Sequence, residues 1–203
     1  MLTGDEGGDA TDAYPLDPDA LGKRWVAPYL ELEPALSFVL EERASGSVVG
    51  YCLAARDTAA FAARLQAEYL PPLRAAHADP AVHGKPESEW TAEEAVYHEL
   101  HDATAGVAPE GLDAALFPSH VHIDLAPTAQ GKGCGGRMMR AQLEALRHAG
   151  SAGVFLQMHE GNTRARRFYE KLGFRPLEVA TADADAGGTG GAFFMGRRLG
   201  GDA

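Results

Sequence analysis

The chain has 203 residues, 45% of them hydrophobic, with a formal net charge of −11. That length and apolar content suit a single packed domain, and no apolar run approaches the roughly 20 residues of a membrane span. The acidic balance argues against a nucleic-acid binder, which carries a basic face, and two cysteines behind an acidic start lacking a leader indicate a reduced, cytoplasmic protein.

Residues 1–13, rich in Gly and Asp, read as a disordered tail. Asp17-Pro18-Asp19 then opens a short capped helix ending near Trp25. Residues 37–41 and 47–54 are strands, split by the hairpin-like break Arg43-Ala-Ser-Gly46. Asp57 or Thr58 caps a helix to Tyr69, which Pro71-Pro72 ends. Residues 73–90 read as loop, and Thr91-Ala-Glu-Glu starts a further helix with a capping box. This helical stretch, about 57–105, interrupts a strand-rich order and reads as an insertion into one domain spanning 14–203.

The second half is plainer. In 119–125, Val121, Ile123 and Leu125 alternate with His120, His122 and Asp124, so a strand presents one apolar and one polar face. Residues 137–149 form an amphipathic helix with Met139, Leu143 and Leu146 inward, stopped by Gly150. Residues 154–159 are a strand, and Asn162 caps a helix to Leu172 that Gly173 terminates. Strands at 177–181 and 192–199 flank a glycine-rich turn. Charge is uneven: from Gln130 to Arg175 there are nine Lys or Arg against three Glu. An anionic ligand on that segment and a cationic substrate drawn to the acidic remainder would both fit, unless folding mixes the segments.

Between the strand at 119–125 and its following helix stands Gln130-Gly-Lys-Gly-Cys-Gly-Gly136. Gly131, Gly133 and Gly136 match G-x-G-x-x-G, but Pro127 intervenes after the strand and no acidic residue follows at the dinucleotide spacing. A P-loop fails for want of Gly-Lys-Ser/Thr. What fits is Gln-x-x-Gly-x-Gly, carried by Gln130, Gly133 and Gly135, with amides turned toward a diphosphate at the positive end of a helix.

This loop strongly resembles the acetyl-coenzyme A loop of the GCN5-related N-acetyltransferases (GNAT). A second, independent motif resembles the same family: Asn162-x-x-Ala165-x-x-x-Tyr169-x-x-x-Gly173-Phe174. The outer segments Tyr14-Pro15-Leu16, 37–41, 50–57 and 195–199, with the helical insertion, are similar to one subgroup, the acetyltransferase-like domain of human O-GlcNAcase and its bacterial relatives. The resemblance implies an α/β (α+β) GNAT fold, with a mixed, mostly antiparallel sheet splayed between the fourth and fifth strands (here 119–125 and 154–159) and flanked by helices. It implies acetyl-CoA as cosubstrate and an amine acceptor as the other partner. Backbone groups of Leu125 and Ala126 would meet the pantetheine arm, and Gln130, Gly131, Lys132, Gly133, Cys134, Gly135 and Gly136 the diphosphate. Asn162 would bond to the cofactor arm, and Arg166 would reach toward phosphate or remain a solvated charge.

The implied reaction is direct attack of a primary amine on the thioester. A lysine-like amine, pKa about 10.4, costs roughly 4.6 kcal/mol to neutralise at pH 7, so a base is needed, and the leaving thiolate needs an acid. Asp124 is the candidate base and Tyr169 the candidate acid. The bland alternatives are a strand carboxylate bonded to His122 or solvent, and a packed aromatic. His120-x-His122-x-Asp124 also suits metal ligation, but the strand runs straight into Pro127 and the glycine loop, so no metal is expected. An acetyl-CoA-binding module without transferase activity is the alternative reading.

Overall fold

The computed structural model describes residues 10–179 and 191–200, which divide into two compact units. Of the expected tail, residues 1–9 lie outside the described residues, and α1 (Ala10–Ala13) is one helical turn. Of the described residues, the first unit takes 10–35 and 59–107, so the insertion read from the sequence groups with the N-terminal helices.

In that unit α2 (Ala20–Trp25) and α3 (Ala27–Leu32) precede α4 (Thr58–Arg64), α5 (Leu70–Ala76) and α6 (Ala92–Leu100). Pro71-Pro72 does not end the helix. Residues Leu65–Tyr69 form a π-helical turn, closed by Leu70 N–H on Leu65 O, and α5 starts afresh with the prolines in its first turn. Their missing N–H groups fall where a helix has unpaired donors anyway, so the chain stays helical to Ala76. The supposed loop after it also holds 3₁₀ turns at Pro80–His83 and Glu87–Glu89. The capping box at Thr91 and Glu94 is present. Phe61, Leu65, Leu70, Val96 and Leu100 are buried, and Tyr69 donates its hydroxyl to Lys23 O at 2.7 Å.

The second unit holds the sheet: β1 (Ser37–Glu41), β2 (Val48–Ala55), β3 (Ser119–Leu125), β4 (Gly153–His159), β5 (Arg175–Pro176) and β6 (Ala192–Arg198), in the order β1-β2-β3-β4-β6-β5. All neighbours are antiparallel except β3 and β4. The expected strand at 177–181 lies elsewhere: pairing falls at Arg175 and Pro176, and residues 180–190 are outside the described set.

The helix α7 (Cys134–His148) buries Met138, Met139, Leu143 and Leu146 against Cys52, Ala54, Val121, Val154, Leu156 and Met195. It begins three residues earlier than the glycines suggested, so Gly135 and Gly136 are helical. Gly150, at φ +85°, ends it. The helix α8 (Thr163–Lys171) is capped by the Asn162 side chain and stopped by Gly173, at φ +83°. Among the described residues, no helix is long and apolar enough to cross a membrane.

Candidate functional site

The parallel pair β3–β4 is matched only at Ser119 with Val154 and His120 with Phe155, so the two strands part and leave a fork over the rest of β3. Ala126 N–H donates to Val49 O at 2.9 Å on the β2 side. Antiparallel alternation then turns the backbone groups of Ile123 and Leu125 the other way, into the fork. Of the two residues expected to meet a pantetheine arm, Leu125 therefore faces the fork, whereas Ala126 has its N–H on Val49 and its carbonyl on Ala129 N–H at 2.8 Å. The Leu125 carbonyl accepts from Gln130 Nε2 at 2.8 Å, so Gln130 ties the glycine loop to the end of β3.

Beyond a 3₁₀ turn at Pro127–Ala129 the loop reverses on Gly131 (φ +71°) and Gly133 (φ +76°). A Cβ at either would meet nothing within 4 Å, so backbone conformation and not crowding is what calls for glycine. Gly133 is the N-cap of α7, and no side chain caps the amides of Cys134, Gly135 and Gly136 that follow. These lie in the first helical turn, where N–H groups have no intrahelical acceptor and the helix end is positive. Gly135 packs tightly: its Cβ would come within 3.1 Å of Leu125 Cδ1 and 3.4 Å of the Phe168 ring. The end of β3, the start of α7 and the side of α8 thus meet at one point. An extended anion with an acyl arm fits these residues: amides for the diphosphate, and a backbone N–H in the fork for a carbonyl. Lys132 is exposed beside them.

On the polar face of β3, Asp124 stands opposite Tyr51 of β2. The Tyr51 hydroxyl donates to Asp124 Oδ2 at 3.0 Å, and His122 Nε2 lies 3.1 Å from the same oxygen and 3.2 Å from the hydroxyl. Tyr51 was not singled out from the sequence, because its relation to Asp124 comes from strand register. In the sequence His122 reads only as a hydrogen-bond partner or metal ligand. His120 Nδ1 sits 2.9 Å from Thr58 Oγ1, and burial, with His122 beside it, pushes its pKa down to about 4. Among the described residues, no group of three or more His, Cys, Asp or Glu is disposed to hold a metal ion.

Tyr169, on α8, packs edge-on against Phe168 and Phe174. Burial, and then the nearby charges of Asp124 and Cys52, push its phenol well above the ordinary range. The other two α8 candidates make local contacts. Asn162 Oδ1 accepts from Ala165 N–H at 2.8 Å as the helix cap. Arg166 Nε pairs with Glu170 Oε1 at 3.1 Å, and its guanidinium lies 4.8 Å from the centre of the Phe193 ring.

Residues 8–174 match the model of the Acetyltransferase (GNAT) family. The crystal structure of SsHAT superposes with a TM-score of 0.77 at 34% identity, covering 96% of this chain and 87% of that one. Protein O-GlcNAcase of Rattus norvegicus is 27% identical over 156 residues, 77% of this chain. This chain spans only 16% of that protein's length. Mycothiol acetyltransferase of Rhodococcus erythropolis is 39% identical over 79 residues, covering 39% of this chain and 26% of that protein.

Proposed function

We propose that this chain, which belongs to the acetyltransferase (GNAT) family, transfers the acetyl group of acetyl-CoA to a primary amine, with Asp124 as base and Tyr169 as acid. When bound, acetyl-CoA supplies the electrophilic thioester carbonyl. The amides of Cys134, Gly135 and Gly136 hold the diphosphate on the positive end of α7, with Gln130, Gly131, Lys132 and Gly133 shaping that loop. The Leu125 N–H, turned into the fork, polarises the acetyl carbonyl and receives the charge that develops on its oxygen.

Asp124 takes a proton from the ammonium form of the acceptor, directly, through water or through a side chain bonded to it. The free amine forms the N–C bond, the C–S bond breaks, and Tyr169 returns a proton to the departing thiolate. The products are an amide and free CoA thiol. A thiolate near pKa about 8.5 is matched by a phenol that stays protonated at neutral pH. The observation that supports this reading is geometric: the fork beside β3 opens next to the uncapped first turn of α7, and Leu125 of β3 and Phe168 of α8 close on Gly135 there.

The test is thiol release with a panel of primary amines, in Asp124→Asn and Tyr169→Phe. Both variants keep acetyl-CoA binding and lose transfer on this account. Unchanged release in both, with binding intact, contradicts the roles given to them. Binding by wild type without release to any amine would favour a cofactor-binding module.

A further inference from the structure

The contacts around Asp124 carry more than a base and its neighbours. Asp124 Oδ2, Tyr51 Oη and His122 Nε2 lie 3.0 to 3.2 Å from one another. An ionised carboxylate only accepts hydrogen bonds, so a bare Nε2 lone pair facing it at 3.1 Å would be repelled. The arrangement is consistent when Nε2 carries the hydrogen and shares it between Asp124 and Tyr51, while the Tyr51 hydroxyl donates to Asp124. Nδ1 is then the unprotonated nitrogen, and no described residue hydrogen-bonds to it. The His122 side chain is 35% exposed and that of Asp124 18%, so the imidazole is the more open half of the pair.

We infer that the base function of Asp124 is exercised through His122: the proton leaving the acceptor amine ends on His122 Nδ1, while Asp124 and Tyr51 hold the ring by its other nitrogen. This rests on the amine-acetylation reading above and deepens it. The N–H bond of the ammonium breaks, its electron pair stays on the amine nitrogen, and the neutral imidazole becomes imidazolium. The Nε2–H contact with the carboxylate stabilises that new charge. A neutral imidazole with a bare ring nitrogen can take a proton there while its other N–H stays bonded to the carboxylate. The neighbouring titratable groups do not compete. His120, on the same strand face, stays neutral because of burial, and Tyr169, beside Asp124, stays protonated.

Two arms test the inference on the full chain. Nitrogen-15 NMR of the histidine rings reads the His122 tautomer. The Nε2–H form is expected in wild type, with a mixture appearing in Asp124→Asn. An Nδ1–H form in wild type leaves no lone pair for the proton and overturns the inference. The kinetic arm uses methylamine, Nα-acetyl-lysinamide and spermidine as acceptors. His122→Gln is expected to lower kcat by about 100-fold or more. Its KM for acetyl-CoA is expected to stay within about twofold, since the fork and loop are untouched. An active wild type with an equally active His122→Gln overturns the inference alone. A wild type inactive with all three amines overturns the transfer reading and this proton path together.

Discussion

Tyr51 and Asp124 are partners across β2 and β3, and the Tyr51 hydroxyl donates to Asp124 Oδ2 at 3.0 Å. Tyr51 is only 8% exposed, so its phenol bridges the interior and the polar face of β3. Removing the hydroxyl leaves the carboxylate short of one charged hydrogen bond, worth about 1.5–3 kcal/mol. Tyr51→Phe and Asp124→Asn should therefore be non-additive in urea unfolding, with a coupling energy of about 0.5–3 kcal/mol. Additivity within about 0.5 kcal/mol would place the two residues in separate roles.

Tyr169 gives a prediction with a definite sign. Burial first, then Asp124 and Cys52, raise its phenol pKa, and an acid works only while protonated. Transfer should hold through pH of about 10, the ordinary phenol value, with no alkaline fall below it. Tyr169→Phe should lower kcat by about 10²-fold or more while acetyl-CoA still binds. A wild-type fall centred well below pH 10, with binding intact, would contradict the assignment.

His120 links acidity to stability. Its pKa is pushed down to about 4 by burial and by His122, against an unfolded value near 6.5. Between those values the unfolded chain binds a proton that the folded chain does not. Stability from neutral His120 is thus complete above about pH 6.5 and lost as pH falls toward 4, by at most about 3 kcal/mol. The difference in unfolding free energy between wild type and His120→Asn should change by that order from pH 7 to pH 4. A pH-independent difference would mean that the ring is not held neutral.

Asn162 caps α8 as its place in the sequence predicts, its side-chain oxygen accepting from Ala165 N–H. Asn162→Ala should cost about 1 kcal/mol of stability, and Asn162→Asp should keep nearly all of it. Equal losses in urea titrations of the two variants would show that the amide nitrogen, not the cap, matters.

The legible parts of the chain were those where local chemistry and tertiary packing agree. The alternation in β3 located its bounds and both faces, and Asn162 with Gly173 located α8. The two central motifs pointed to the family and to the loop. Glycine and proline misled where tertiary context outweighs propensity. Gly135 and Gly136 look like helix breakers, yet the close approach to Leu125 and Phe168 asks for a small residue in the first turn of α7. Pro71-Pro72 looks like a stop, yet a π turn lets a new helix begin there. Tyr51 and the bond from Gln130 to the Leu125 carbonyl depend on strand register and loop closure, which no single segment encodes. Arg166 was ambiguous because a helix face shared with Asn162 does not reveal whether Glu170, one turn on, takes the charge.

The central claim is that the amides at the start of α7 grip the diphosphate of acetyl-CoA, and calorimetric titration of the full chain with acetyl-CoA tests it most directly. One molecule should bind per chain, with thermal protection equivalent to about 2.7 kcal/mol at a ligand concentration 100 times Kd. Gly133→Ala, forced to hold φ +76°, should bind more weakly. No heat and no rise in melting temperature at roughly millimolar acetyl-CoA, far above any Kd that would carry such a site, would contradict the account at its base.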